Sequence, residues 1–260
     1  MSTDKKRAED LTVVENRKIN NDYYVLKLAS KTDLPKILPG HFVELLVADT
    51  RNAFLRRPIS IYDVQPECNS FELLIQIVGE GTQLMAKLEA GDTINAMYPL
   101  GNGFGTKTSA KSVLLVGGGV GVAPLLYLAK QLNEEGIRPK ILLGGRAAGN
   151  IIEVENFAKY GDVLISTEDG SIGEKGFVTQ HSVMKEPIDK IYTCGPDPMM
   201  RAVADIAFER NIDCEVSLEN MMACGIGACL CCVTDTKEGH KCVCSDGPVF
   251  NTKELKWNLA

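Results

Sequence analysis

Val113-Leu-Leu-Val-Gly117-Gly-Gly-Val-Gly121-Val-Ala-Pro124 joins a short apolar run to a glycine-rich turn and ends on a proline. The uncharged span around it, Ser112–Ala129, approaches membrane-crossing length. Gly117, Gly118, Gly119, Gly121 and Pro124 interrupt that span, so a strand, a tight turn and a helix start accommodate it better. Proline suits a first helical turn, where its missing N–H costs nothing. A glycine turn between strand and helix also lets a pyrophosphate approach the backbone and the positive end of the helix. The standard dinucleotide fingerprint is incomplete here. Its third glycine is absent, and Gly144-Gly145-Arg146, with no acidic residue, follows the next apolar run.

Downstream, apolar runs at Ile141–Leu143, Val163–Ile165, Ile191–Thr193 and Cys214–Leu218 alternate with helical patterns, clearest at Leu125–Leu132 and Met199–Glu209. Strands alternating with helices predict a Rossmann-like parallel α/β domain. Thr193-Cys194-Gly195-Pro196-Asp197-Pro198 repeats the strand-to-helix turn. Both turns then fall at the carboxyl ends of parallel strands, where open α/β sheets bind ligands. Upstream, Tyr23–Leu28, Phe42–Val47, Ser60–Val64, Phe71–Val78 and Thr93–Met97 read as short strands, with one helix near Thr82–Leu88. That series predicts an antiparallel β-barrel. Within it, the Arg56-Arg57 pair suits a phosphate, and Ser60 stands on the same strand. The chain divides into three domains, 1–105, 106–218 and 219–260.

Nine cysteines are present, six of them crowded between Cys224 and Cys244. Met1–Arg7 is followed by no apolar stretch of the signal-peptide kind, so reduced thiols in a cytoplasmic protein are expected. Cys224-Gly-Ile-Gly-Ala-Cys229-Leu-Cys-Cys232 has C-x4-C-x2-C spacing, that of plant-type [2Fe–2S] loops, with the fourth thiolate from further on. Spacing alone leaves Cys242 and Cys244 both open as that ligand, and sets Cys231 aside because its side chain points away from its neighbours'. A structural zinc site drawing on His240 is the competing reading. A segment so short and irregular is expected to fold around its metal rather than an apolar core of its own.

Acidic residues outnumber basic ones 34 to 28, for a net charge of -6, which disfavours a nucleic-acid partner. No catalytic acid–base or nucleophile motif appears, and only three histidines, His41, His181 and His240. Such scarcity fits a protein whose chemistry belongs to its cofactors.

In order along the chain stand Arg57-Pro58-Ile59-Ser60, Gly79-Glu80-Gly81-Thr82, Gly118-Gly119-Val120-Gly121-Val122-Ala123-Pro124 and Cys194-Gly195-Pro196-Asp197-Pro198-Met199. Together they resemble the ferredoxin–NADP reductase superfamily. Met222-Ala-Cys224-Gly-Ile-Gly-Ala-Cys229, with Cys244-Ser-Asp-Gly-Pro-Val-Phe250, is similar to the dihydroorotate dehydrogenase B electron-transfer subunits. The resemblance spans nearly the whole chain. It implies an FAD-binding barrel, a NAD-binding domain and a small C-terminal [2Fe–2S] domain. FAD would be held by Arg57, Pro58, Ile59, Ser60, Leu74, Ile75, Gln76, Gly81 and Thr82. NAD, an exchangeable co-substrate, would meet Gly118, Gly119, Gly121, Cys194, Gly195 and Pro196. The cluster ligands would be Cys224, Cys229, Cys232 and Cys244, with Cys231 an extra thiol beside a ligand.

The same resemblance implies an FMN-containing dihydroorotate dehydrogenase catalytic subunit as partner, two copies of each in a heterotetramer, with no nucleic acid and no membrane. Electrons from dihydroorotate would pass from FMN through [2Fe–2S] and FAD to NAD+. NAD takes electrons as a pair and a cluster moves them singly, so the flavin must stand between. A related reductase serving a hydrogenase, sulfide-reducing or transhydrogenase complex is the near alternative. An iron–sulfur redox sensor and a zinc-stabilised nucleotide-binding protein are the distant ones.

Overall fold

The computed structural model describes residues 6–47 and 54–257. The amino-terminal residues 1–5 that enter the signal-peptide reading lie outside the described residues. Six strands close a barrel in the order β1-β2-β5-β4-β3-β6. They are β1 (Arg7–Lys18), β2 (Tyr23–Ala29), β3 (Phe42–Leu46), β4 (Arg57–Gln65), β5 (Ser70–Gln76) and β6 (Thr93–Leu100), and every pairing is antiparallel. A short helix, α1 (Glu80–Met85), follows β5. Side chains alternate across each strand, so β2 sends Tyr24, Leu26 and Leu28 into the barrel and Tyr23 and Val25 outward to the neighbouring domain. β5 does the same with Phe71, Leu73 and Ile75 inward and Leu74 outward.

A seven-stranded sheet follows, in the order β10-β9-β8-β7-β11-β12-β15. Its members are β7 (Val113–Gly118), β8 (Lys140–Gly145), β9 (Asp162–Thr167), β10 (Glu174–Lys175), β11 (Lys190–Cys194), β12 (Asp213–Ser217) and β15 (Val249–Asn251). All neighbours run parallel except β15, which pairs antiparallel with β12. Helices α2 (Ala123–Glu134), α3 (Val154–Ala158) and α4 (Asp197–Glu209) connect the strands. β7 lies at the centre with all six residues buried, as a strand covered on both faces must.

The uncharged run after Ser112 has a structural cause. Helix α2 is buried on opposite sides: Leu125, Leu128 and Leu132 join the core of the sheet, while Tyr127 joins that of the barrel. Lys130 closes the contact, its Nζ 3.0 Å from Asp63 Oδ1 on β4. Among the described residues no helix is long and apolar enough to cross a membrane.

The structure departs from expectation at both ends. β1 begins the barrel well before Tyr23, with Leu11 and Val13 buried and Asp10 and Val14 exposed on either side of them. The carboxy-terminal segment is more ordered than its sequence suggests. It forms a hairpin of β13 (Val233–Thr236) and β14 (Gly239–Cys242) and then supplies β15 to the large sheet. It also has an apolar core, but a shared one. Cys232, Val243, Cys244 and Phe250 pack with Phe42 and Leu100 of the barrel and Val216 of the sheet.

Candidate functional site

The sheet order reverses between β7 and β11, which are adjacent and parallel. Their carboxyl ends carry the two turns singled out by sequence, and the turns pack directly on each other. A Cβ on Gly121 would stand 2.4 Å from Gly195 Cα, and one on Gly118 2.6 Å from Met199 Sδ. Glycine at these positions therefore serves turn-on-turn packing. Gly119 differs: its φ is +56° and nothing lies within 4 Å of where its Cβ would be, so it leaves the backbone open to a ligand.

A cavity of about 710 Å³ opens above this crevice. Gly118, Gly119, Gly121, Gly195 and Pro196 line it, with Arg146 and Glu168 from the ends of β8 and β9. Cys194 is not in the lining. It is fully buried behind the cavity, where its thiol donates to Glu219 Oε1 at 3.7 Å. Burial pushes that thiol well up from its ordinary value, and the Glu219 charge adds to the effect.

A second cavity, about 280 Å³, lies between barrel and sheet. Pro58, Ile59, Ser60, Leu74, Ile75, Gln76 and Thr82 line it. Arg57 and Gly81 stand together outside the lining, where a Cβ on Gly81 would meet Arg57 Nε at 2.9 Å. The Thr82 hydroxyl is occupied locally, accepting from the N–H groups of Val78 and Gly79 at 2.9 and 3.1 Å. Gln76, Val120 and Glu219 line both cavities and form their common wall. Glu219 was not singled out by sequence. Protein surrounds it on the sides away from the cavities, and this loss of solvent raises its carboxyl pKa, against the opposing Cys194 hydrogen bond.

At its other end the second cavity reaches Met222 and Pro248, which flank the cysteine loops. Positive φ at Gly225, Gly227 and Leu230 coils the loop tightly and turns its amides onto sulfur. Ile226 N–H donates to Cys224 Sγ at 3.5 Å, Gly227 N–H to Cys244 Sγ at 3.1 Å, and Cys244 N–H to Cys232 Sγ at 3.3 Å. Burial raises the Cys224 thiol, but amide and Cys229 hydrogen bonds outweigh it and bring it down to about 6. Asn102, just past β6, ties the second loop to the barrel through the carbonyls of Ser245 and Asp246 at 3.1 and 2.9 Å.

Cys229 neighbours Cys224, and Cys232 neighbours both Cys244 and Cys242. Among the described residues no three His, Cys, Asp or Glu side chains gather as ligands of one ion. Amides directed at the sulfurs of Cys224, Cys232 and Cys244 are what a thiolate-bound iron–sulfur cluster could use. His240 is not with them. It is exposed on the hairpin, 2.7 Å from Asp235 Oδ1. Cys231 is exposed, and Cys242 is buried with its N–H on Asp246 Oδ2 at 2.7 Å.

Comparison with known proteins gives a consistent result. Protein-family models match in three stretches: an oxidoreductase FAD-binding domain at residues 10–104, an oxidoreductase NAD-binding domain at 115–205, and the iron–sulfur cluster binding domain of dihydroorotate dehydrogenase B at 219–256. The electron-transfer subunit of dihydroorotate dehydrogenase B (NAD(+)) from Fusobacterium nucleatum subsp. nucleatum is 41% identical, across 96% of this chain and 99% of its own length. The chain belongs to the dihydroorotate dehydrogenase B electron-transfer subunit family. The member from Caldanaerobacter subterraneus subsp. tengcongensis is likewise 41% identical, across 94% of this chain and 96% of that one. Among solved structures, a NADH-dependent reduced ferredoxin-NADP oxidoreductase superimposes with a TM-score of 0.83 at 31% identity, covering 95% of this chain and 90% of the other. Like other members of the dihydroorotate dehydrogenase B electron-transfer family, the chain is an oxidoreductase subunit that passes electrons in NAD+ reduction, with FAD- and NAD-binding domains. The closed barrel and the parallel sheet are those two domains.

Proposed function

We propose that this chain works in the cytoplasm with an FMN-containing catalytic subunit that oxidises dihydroorotate to orotate, two copies of each subunit forming the complex. Cys224, Cys229, Cys232 and Cys244 hold a [2Fe–2S] cluster, residues 219–260 act as its domain, and residues 1–105 and 106–218 serve FAD and NAD. One observation carries the reading. The smaller cavity lies between the cysteine loops, at Met222 and Pro248, and the larger cavity, across the wall of Gln76, Val120 and Glu219. A carrier that exchanges single electrons for a hydride belongs in that middle position.

When bound, the cluster supplies one-electron passage and the flavin supplies the conversion to two. The chain's own residues bind and orient. Pro58, Ile59, Ser60, Leu74, Ile75 and Gln76 would hold the flavin against β4 and β5, and Arg57, Gly81 and Thr82 would bind its phosphates. Gly118, Gly119, Gly121, Gly195 and Pro196 face the dinucleotide, and Cys194 supports Glu219 from behind. Glu219 and Gln76 bring polar groups to the wall where the two ligands meet, and Val120 adds an apolar one that helps exclude water there.

The test is an anaerobic pull-down of the full chain from its native cell, assayed for dihydroorotate-dependent NAD+ reduction, with iron, sulfide and flavins measured in the eluate. Activity with FMN, FAD, iron and sulfide together is the expected result. An eluate holding FAD, iron and sulfide without that activity would move the chain to another complex. The likeness to the NADH-dependent reduced ferredoxin-NADP oxidoreductase makes that the second reading.

A further inference from the structure

Cys244 is carried by a turn whose own hydrogen bonds shape it but do not place it. Within the turn, the N–H groups of Ser245 and Asp246 both donate to the Cys242 main-chain oxygen, at 3.1 and 2.8 Å. The Cys242 N–H donates in return to Asp246 Oδ2 at 2.7 Å. The carbonyls that follow Cys244 are taken from outside. Asn102 donates through Nδ2 to Ser245 O at 3.1 Å and Asp246 O at 2.9 Å, and through its main-chain N–H to Gly247 O at 2.5 Å. One residue at the end of the barrel thus serves three consecutive carbonyls, and both hydrogens of its side-chain amide are committed. The next carbonyl, that of Pro248, accepts from the N–H of Leu218, just past β12, at 2.9 Å.

Asn102 is itself held between two close backbone approaches. A Cβ on Gly101, at φ +78°, would stand 2.4 Å from Pro248 Cδ and 2.7 Å from Gly247 O, and one on Gly103 2.4 Å from Pro39 O. Neither position has room for a side chain, so barrel and turn meet with little freedom. Pro248, at one end of the turn, lines the smaller cavity, while Cys244 at the other shares an apolar cluster with Leu100 of β6. Asn102 is exposed. Water would serve the same carbonyls there, so the amide adds place more than stability. We propose that Asn102 is a positioning residue that keeps the Cys244 turn in register with the barrel. It sets the fourth ligand, and the separation of that ligand from the flavin cavity, through the protein rather than through the bound group. The inference rests on the iron–sulfur reading of the loops.

The experiment compares the full chain carrying FAD and its cluster as wild type, Asn102→Ala and Asn102→Asp. Alanine removes the two side-chain bonds, and an ionised aspartate keeps the shape of asparagine but can make neither. Iron, sulfide and FAD are counted in each, and the EPR spectrum of the reduced chain is recorded. Iron release to a chelator is then timed without oxygen. Both variants are expected to release iron roughly tenfold faster, the scale of two hydrogen bonds of ordinary net strength. Both are also expected to show an altered EPR line shape, which reports ligand geometry. Because Asn102 is exposed, both should fold and retain FAD. Release at the wild-type rate with an unchanged line shape in both variants would overturn the proposal, leaving the turn held by its apolar cluster alone. A change in Asn102→Asp but not in Asn102→Ala would overturn it too, by tracing the effect to an added charge. Wild-type chain without stoichiometric iron and sulfide would instead remove the iron–sulfur reading itself.

Discussion

Gly121 has no room for a methyl group, because the atom it would strike is the backbone of Gly195 and not a movable side chain. Gly121→Ala is therefore expected to force the two turns apart, at about 1–3 kcal/mol of stability. NADH affinity should fall with it. Chemical denaturation and a nucleotide titration on one preparation check both effects. Cys232 makes a different demand, since its sulfur is buried and accepts the Cys244 N–H. Cys232→Ser should abolish iron and sulfide content while FAD content persists, as read by metal analysis beside flavin extraction. The thiols were legible in the sequence because thiolate spacing on one loop follows cluster geometry. Glu219 was not, since a single carboxylate has no spacing rule. Its importance comes from the strands that the fold sets around it.

Elements meet most tellingly where the barrel touches the α/β domain. Arg17 of β1 makes a two-pronged pair with Glu153 at 3.0 and 2.9 Å, and Tyr62 of β4 donates to the same carboxylate at 3.1 Å. Glu153 holds the left-handed region at φ +59° just ahead of α3. Burial alone would raise its carboxyl, but Arg17, Asn156 and Tyr62 together hold it below the ordinary range. A depressed folded pKa means that its stabilisation is present above the unfolded carboxylate value. That stabilisation is lost as pH falls through the folded one. Glu153→Gln should cost about 1 kcal/mol at neutral pH, a modest figure because Arg17 is partly exposed. The gap from wild type should close on acidification, and unfolding curves at a series of pH values show it. Element recognition from sequence followed apolar density. β7 and α2 were plain, whereas β1 escaped because its first half carries Arg7, Glu9 and Asp10 and only Leu11 and Val13 along the strand are buried.

Across the whole molecule, the cysteine loops are not an appendage. Cys232 and Cys244 pack in one apolar cluster with Phe42, Leu100 and Val216, so barrel, sheet and loops share that core. Removing iron with a chelator under reducing conditions is expected to lower the unfolding temperature of the entire chain, because anything bound only by the native state stabilises all that it is coupled to. Calorimetry should show the main transition moving, and a shift confined to a small early transition would count against the coupling. Nothing in the local sequence announces this arrangement. The strand order and the return of Val249–Asn251 to β12 are pairings between distant segments, which periodicity cannot reach.

That return has a consequence for the order in which the protein can be made. β12 is complete at Ser217, but its outer edge stays without a partner until Val249–Asn251 emerge from the ribosome. At ordinary synthesis rates of about 5–20 residues per second, the interval is on the order of seconds. Throughout it the nascent NAD-binding domain presents an open parallel sheet edge, the kind of surface that recruits other strands. Val249–Asn251 also follow Cys244, so that edge closes only after the last of the clustered cysteines has been made.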